Sequence, residues 1–292
     1  MLINTQNLTA MFKGFNTLFN EAFANVTPMW SQIAMEVPST GAEETYSWLG
    51  TFPAMKEWLG DRVVENLRAH DYTIRNKRWE STFEVDRDNV ADDKYGIYRP
   101  IISELGREAR MHPDGLVFQL LAAGLTTTCY DGQNFFATTH PVGSTTDSNY
   151  TAGAEASWFL LDTSKAVKPL IFQNRENVNF QYFDNPADEH VFKKRKFLYG
   201  ADARYNVGVG LWQLAHMSKA ALDADAYAAA RQAMLEVKND NQEPLNIMPD
   251  TLVVGPSNEA AARDILLANL VSTGGTNTWF NTAKLIVSPW LT

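Results

Sequence analysis

A single cysteine, Cys129, serves the whole chain of 292 residues, so no internal disulfide can staple the fold. No run approaches the ~20 consecutive apolar residues of a bilayer-spanning helix, so no membrane partner is expected. The opening MLINTQNLTA has neither a basic start nor an apolar block. No secretory signal is therefore expected, the chain reads as intracellular, and the sequons at Asn7, Asn25 and Asn149 carry little meaning. Basic charge is in deficit: 25 Lys and Arg against 34 Asp and Glu leave a net charge of -9. That balance opposes phosphate binding by the molecule as a whole, because nucleic-acid affinity comes mainly from Lys and Arg displacing counterions. HExxH, paired CxxC halves, a phosphate-cradling glycine loop and a GxSxG elbow are all missing, so no metal, cofactor or nucleotide is expected. Gly208-Val209-Gly210 lacks the third glycine of a dinucleotide site. Asp86, Asp88, Asp92 and Asp93 fail as a calcium loop because Val90 and Ala91 stand where a ligand and a glycine belong.

What is present, at 45% hydrophobic residues, is enough to bury one large core or two modest ones in a soluble globular protein. Leu8, Phe12, Phe15, Phe19 and Phe23 fall at steps of four, three, four and four, an apolar stripe on a helix that Asn4 or Thr5 could cap. Two readings stand: the stripe packs on its own core, or it docks on a neighbouring subunit. From Glu65 to Asp88 the pattern alternates: Tyr72 and Ile74 precede a polar Arg75-Asn76-Lys77-Arg78 turn, and Trp79, Ser81, Phe83 and Val85 interleave with polar residues. This predicts a projecting β-hairpin, marginal alone and stabilised by a partner surface.

Asp92 to Leu125 reads as a helix with Ile97, Ile101, Leu105 and Ala109 on one face, then Leu116, Leu120 and Gly124. If continuous it would span about 50 Å, with Pro113 and Gly115 bending or interrupting it. Strand-rich segments follow in SWFLLDTSKAVKPLIFQ and VFKKRKFLYGADARYNVGVGLWQLA. Asp223 to Val237 reads as a helix, Thr251 to Val254 as a strand, Pro256 to Leu267 as a helix and Ala283 to Val287 as a last strand. The fold class is α+β. The basic run Lys193, Lys194, Arg195 and Lys196 reads as a solvated or subunit-facing strand end, not a nucleic-acid site.

CYDGQNFFATTHPVG, residues 129 to 143, brings a thiol, a carboxylate and an imidazole within twelve positions. A cysteine hydrolase would need His140 within reach of Cys129 and a third group, Asn134 or Asp131, to orient it. The bland reading fits better: Asp131-Gly132 is a turn dipeptide, Phe135 and Phe136 look like core anchors, and His140 precedes a proline. The stretch is expected to be a turn at the end of the long helix, with no catalytic residues and no enzyme activity.

Five blocks carry a resemblance: GTFPAMKEWLGDR, CYDGQNFFATTHPV, WFLLDTSKAVKPLIFQ, VFKKRKFLYGADARYNVGVGLWQLA and LNIMPDTLVVGP. In that order they resemble the Mu-like phage and prophage major head subunit, from about Ile33 to Leu291. The resemblance implies the Hong-Kong-type fold of tailed-phage capsids. An N-terminal arm (1–45) would be followed by an extended β-hairpin loop (46–91) and a peripheral domain with a long spine helix (92–157). The axial domain would come mostly from 158–276, with 277–292 returning to the peripheral domain.

It further implies a virion protein, assembled in the host cytoplasm through pentameric and hexameric capsomers into an icosahedral shell around double-stranded DNA. A separately encoded scaffold, a portal and decoration proteins would be its partners besides itself. The subunit-interface candidates are Phe12, Phe15, Phe19, Phe23, Tyr72, Ile74, Lys77, Trp79, Phe83, Lys193, Lys194 and Arg195. Lys77 at the hairpin tip is also a candidate isopeptide donor, against the plainer reading of a solvated lysine. Alternatives are a cellular nanocompartment shell of the same fold, the Cys129/His140 hydrolase and a phage accessory binding module.

Overall fold

The computed structural model describes residues 2–50, 72–270 and 274–291. Helix α1 (Thr5–Ala24) begins at Asn4, whose side-chain oxygen accepts the Asn7 N–H at 2.8 Å. Strands β1 (Ala34–Pro38) and β2 (Glu43–Thr45) follow, then β3 (Thr73–Arg75) and β4 (Lys77–Asp86). Asp86 caps a short helix α2 (Arg87–Ala91), which leads into the long helix α3 (Arg99–Ala122). Small strands β5 (His140–Val142), β6 (Thr145–Asp147) and β7 (Tyr150–Thr151) precede β8 (Trp158–Leu161). Two long strands, β9 (Leu170–Phe183) and β10 (Lys196–Val209), flank helix α4 (Glu189–Lys194). The chain closes with β11 (Ala215–Ser218), α5 (Ala224–Leu235), β12 (Thr251–Val254), α6 (Glu259–Leu266) and β13 (Lys284–Val287).

Two sheets organise these elements. One runs β1-β9-β10-β4 and the other β13-β12-β8-β11-β7. Helices α1 and α3 lie along the first sheet. Leu8, Met11, Phe15 and Phe19 of α1 meet Ile102 of α3 and Val85, Phe180, Phe197 and Tyr199 of the sheet in a core of their own. Each such phenylalanine, fully buried, contributes about 1.5–3 kcal/mol. The second sheet is covered on both faces: β8, β11 and β12 are buried along their whole length.

The long helix is shorter than its sequence pattern, at 24 residues or about 36 Å. It starts where Pro100 stands in the first turn, and runs on through Pro113 although a proline there removes one backbone hydrogen bond. Tertiary packing holds that stretch. Asp114 accepts the Trp30 N–H at 2.6 Å, and Trp290 lies so near Gly115 that an added Cβ would be 3.2 Å from its indole nitrogen. Ile97 and Ile101, expected on the buried face, are exposed, and Ile102 takes the core position.

Three further expectations are corrected. Strands β3 and β4 do not form a hairpin with each other: β3 pairs with β2, and β4 pairs with β10 from Asp86↔Lys196 to Lys77↔Tyr205. Arg75-Asn76-Lys77-Arg78 is therefore a passage between sheets rather than a hairpin tip, pinned by Gln173, whose Nε2 donates to Ile74 O and Asn76 Oδ1. Residues 51–71, which include most of the GTFPAMKEWLGDR block and the Glu65–Asp71 start of the expected hairpin, lie outside the described residues. Second, the span 158–276 divides between the sheets, because β9 and β10 join the sheet beside α3; in the last segment β13 pairs with β12 while Trp290 stacks on Phe118 of α3. Third, Lys193 and Lys194 close helix α4 instead of a strand, and Arg195 adopts a left-handed conformation (φ 56) to turn the chain into β10.

Candidate assembly surfaces

The aromatic stripe of α1 is mostly an internal feature. Phe15 meets Tyr199 edge-on at 5.3 Å, and Phe19 stacks on Phe180 at 5.0 Å and on Phe23 at 6.1 Å. Phe15, Phe19 and Ile74 are buried by the subunit's own chain, which corrects their place among the interface candidates. Ile74 fills the space that a side chain at position 208 would need: a Cβ on Gly208 would come within 2.2 Å of its Cδ1.

The other candidates reach the surface in part or fully. Phe12 is half-buried against Tyr182, with ring centroids 3.9 Å apart, and Phe23 lies under the Arg110 guanidinium at 4.9 Å. The Tyr72 hydroxyl accepts the Val209 N–H at 2.8 Å, and burial pushes its pKa up to about 12. Trp79 donates to the Tyr205 carbonyl at 3.0 Å and packs on His112, while Phe83 stacks on Tyr199. Lys77, Lys193, Lys194 and Arg195 are exposed. Lys193 pairs with Glu189, Arg195 with Asp88 and Lys196 with Glu84, all on the surface, where such pairs add little stability.

Several large apolar side chains are exposed, and Phe183 and Phe192 among them were not singled out by pattern. Phe192 is 83% exposed and Phe183 65%, at the α4 end of the β9–β10 pair, and Tyr182 adjoins them. Ile97 and Ile101 stand out on the first turn of α3 and just before it. The signal was available at Phe192, a lone aromatic in the charged run EHVFKKRK.

The Cys129 stretch is a tight turn leaving α3. Cys129 N–H donates to Gln133 O, Phe135 N–H to Thr127 O and Phe136 N–H to Gly124 O, with Gly132 in the left-handed region at φ +83. Cys129 is buried, its Sγ lies 3.8 Å from the Gly210 carbonyl, and burial pushes its thiol well above the usual range, away from the reactive thiolate. His140 does meet Asp131, the orienting group the hydrolase reading offered, with Nδ1 2.6 Å from Asp131 Oδ2, but its other nitrogen faces Asn149 and not Cys129, Nε2 lying 3.1 Å from Asn149 Oδ1. Asn149 of the third sequon is itself buried. Among the described residues no group of three or more His, Cys, Asp or Glu is placed to hold a metal ion, and no helix is long and apolar enough to cross a membrane.

A long helix laid along a sheet of extended strands, with a second sheet at its exit, is the Hong-Kong-type fold of tailed-phage capsid subunits. The chain superposes on a subunit of the procapsid of bacteriophage JBD30 with a TM-score of 0.89, at 39% identity over 99% of this chain and 100% of that one. On a subunit of the bacteriophage JBD30 capsid the TM-score is 0.82, at 30% identity and full coverage of both chains. In sequence it is 41% identical to the Mu-like prophage FluMu major head subunit of Haemophilus influenzae, over 91% of this chain and 90% of that protein. It is 36% identical to the major capsid protein of Escherichia phage Mu over the whole of both. The Mu-like prophage major head subunit gpT family matches residues 8–291, and the chain belongs to that family. It is a major capsid protein of the Mu-like type.

Proposed function

We propose that the chain assembles through pentameric and hexameric capsomers into an icosahedral shell that encloses double-stranded DNA without reading its sequence. The whole-chain likeness to a procapsid subunit carries this reading. In it, α3 with β9 and β10 forms the peripheral domain, on which α1 and β1 of the arm and β4 of the extended loop pack. The second sheet with α5 and α6 forms the axial domain, residues 1–45 the arm, and 46–91 the extended loop. Closed shells need heterologous contacts whose rotation closes, each burying on the order of 1,000 Å² or more. Phe183 and Phe192 with Lys193, Lys194 and Arg195 are offered as one such contact, and Phe12, Phe23, Tyr72, Lys77, Trp79 and Phe83 as residues bordering others.

A net charge of -9 supports a lining that repels packaged DNA and keeps it from adhering. A separately encoded scaffold, a portal and decoration proteins complete the partners in this proposal, with assembly in the host cytoplasm. A structural role without catalysis is supported by the buried, un-ionised Cys129 and by a His140 whose second nitrogen faces Asn149. The test is electron microscopy of the protein co-expressed with its scaffold, read with light scattering for mass. Uniform shells or five- and six-membered rings are expected. A small monodisperse species would overturn the reading, and loss of any activity in Cys129→Ala would revive the hydrolase.

A further inference from the structure

The hydrogen bonds around His140 determine where protons sit. The ring is fully buried and stacks on the Trp212 indole, centroids 4.1 Å apart and nearly parallel at 8°. On its Nε2 side is Asn149, and that amide can face only one way. Its Nδ2 donates to Phe135 O at 2.8 Å and to Trp212 O at 3.3 Å, while its Oδ1 accepts the Ala137 N–H at 2.9 Å. Turning the amide over would set donor against donor at Ala137 and oxygen against oxygen at the two carbonyls. The group 3.1 Å from Nε2 is therefore an acceptor, and Nε2 must carry a hydrogen.

On the other side, Nδ1 lies 2.6 Å from Asp131 Oδ2, the short distance of a charge-assisted bond. Oδ1 of Asp131 accepts the Gln133 N–H at 3.0 Å, so the hydrogen between the two side chains lies on the Oδ2–Nδ1 line and on one of those two atoms. A neutral ring with hydrogen on Nε2 alone would press the Nδ1 lone pair against that carboxylate. Other titratable groups nearby do not replace Asp131. Asp147, opposite His140 across β5–β6, accepts its neighbour Ser148's N–H, and burial holds the Cys129 thiol and the Tyr130 phenol protonated.

We infer that His140 is a buried imidazolium clamped between Asp131 and Asn149, and that its proton latches the exit turn of α3 to the second sheet. Asp131 belongs to the turn that leaves α3, whereas Asn149 leads into β7 and its carbonyl accepts Met217 N–H of β11. Trp212, under the ring, precedes the same strand. One proton thus ties together the element running along the first sheet and the edge of the second. Removing it leaves two unshared pairs facing each other in a buried site, which favours separation of the turn from β5.

The test is nitrogen NMR of protein labelled with 15N in the histidine rings, at neutral pH. His140 is identified by through-space contact to the Trp212 indole, so its assignment does not depend on any variant folding. Both ring nitrogens should be protonated. In Asp131→Asn the amide can donate to Nδ1, and the ring should revert to a neutral form with hydrogen on Nε2 alone. An unprotonated Nδ1 in the unaltered protein would place the proton on Asp131 and overturn the inference. A doubly protonated ring in Asp131→Asn would show that Asp131 does not hold the proton, and would overturn the latch.

Discussion

The Phe19 carbonyl oxygen occupies the place a side chain at position 106 would need: a Cβ added to Gly106 would lie 2.5 Å from it. Helices α1 and α3 therefore meet backbone to backbone at this point. Alanine in place of a helical glycine ordinarily gains about 1 kcal/mol, but overpacking a tight contact costs about 1–3 kcal/mol. Because the opposing atom is main chain, it cannot swing aside and the second effect wins. Gly106→Ala should lower the denaturant midpoint of the subunit with an unchanged slope.

Phe19 and Phe192 should behave in opposite ways. Phe19→Ala opens a cavity in the core shared by α1, α3 and the first sheet, at a cost of about 3–5 kcal/mol, enough to threaten folding at all. Phe192→Ser removes a side chain that is 83% exposed and should leave subunit stability within about 0.5 kcal/mol. If the α4 end is a subunit contact, Phe192→Ser depletes assembled particles while the unassembled subunit keeps its thermal midpoint. Sedimentation of the two variants beside their melting curves separates the effects.

That contrast shows what the sequence could convey. The stripe of α1, the alternation of Trp79, Phe83 and Val85, and the strands at Thr251 and Lys284 follow from periodicity, and each element formed close to its expected bounds. Periodicity names a buried face, not the surface that buries it, so Phe19 could equally have met a neighbour. For the same reason β4 looked like half of a local hairpin while its partner, β10, lies more than a hundred positions away. The turn at Asp131-Gly132 was legible from its own dipeptide. The ligation of His140 by Asn149 was not, because it depends on a register between β5 and β6 and on the path of a remote segment through Trp212.

Asp114 offers a test of the contact that carries α3 past Pro113. Its side chain accepts the Trp30 N–H, and burial raises its carboxyl pKa above the usual range, so charge at this position is tolerated rather than favoured. Asp114→Ala should cost about 1–3 kcal/mol by leaving a buried N–H without an acceptor. Asp114→Asn keeps an acceptor oxygen and removes the buried charge, so at neutral pH it should be at least as stable as the parent. Chemical denaturation of the pair at one pH decides this. Equal losses in both variants would assign the effect to the charge and not to the hydrogen bond.

His216 sets an expected acid limit. It is buried on β11, its Nε2 is 2.9 Å from Thr151 Oγ1, and desolvation lowers its pKa from 6.5 to about 4. A group whose protonated form is disfavoured by folding binds its proton more readily when unfolded. Stability from this residue is therefore complete above the unfolded value and declines as pH falls from about 6.5 toward about 4. Integrated across that window the loss is roughly 3 kcal/mol, a sizeable share of a typical domain's stability. His216→Gln retains a polar side chain without the titration, so its stability curve should be flatter over the same interval even if it starts lower. Parallel slopes in the two proteins would mean that the acid response arises elsewhere, with Glu44 and Glu84, whose carboxyl pKa values hydrogen bonds lower, next to be examined.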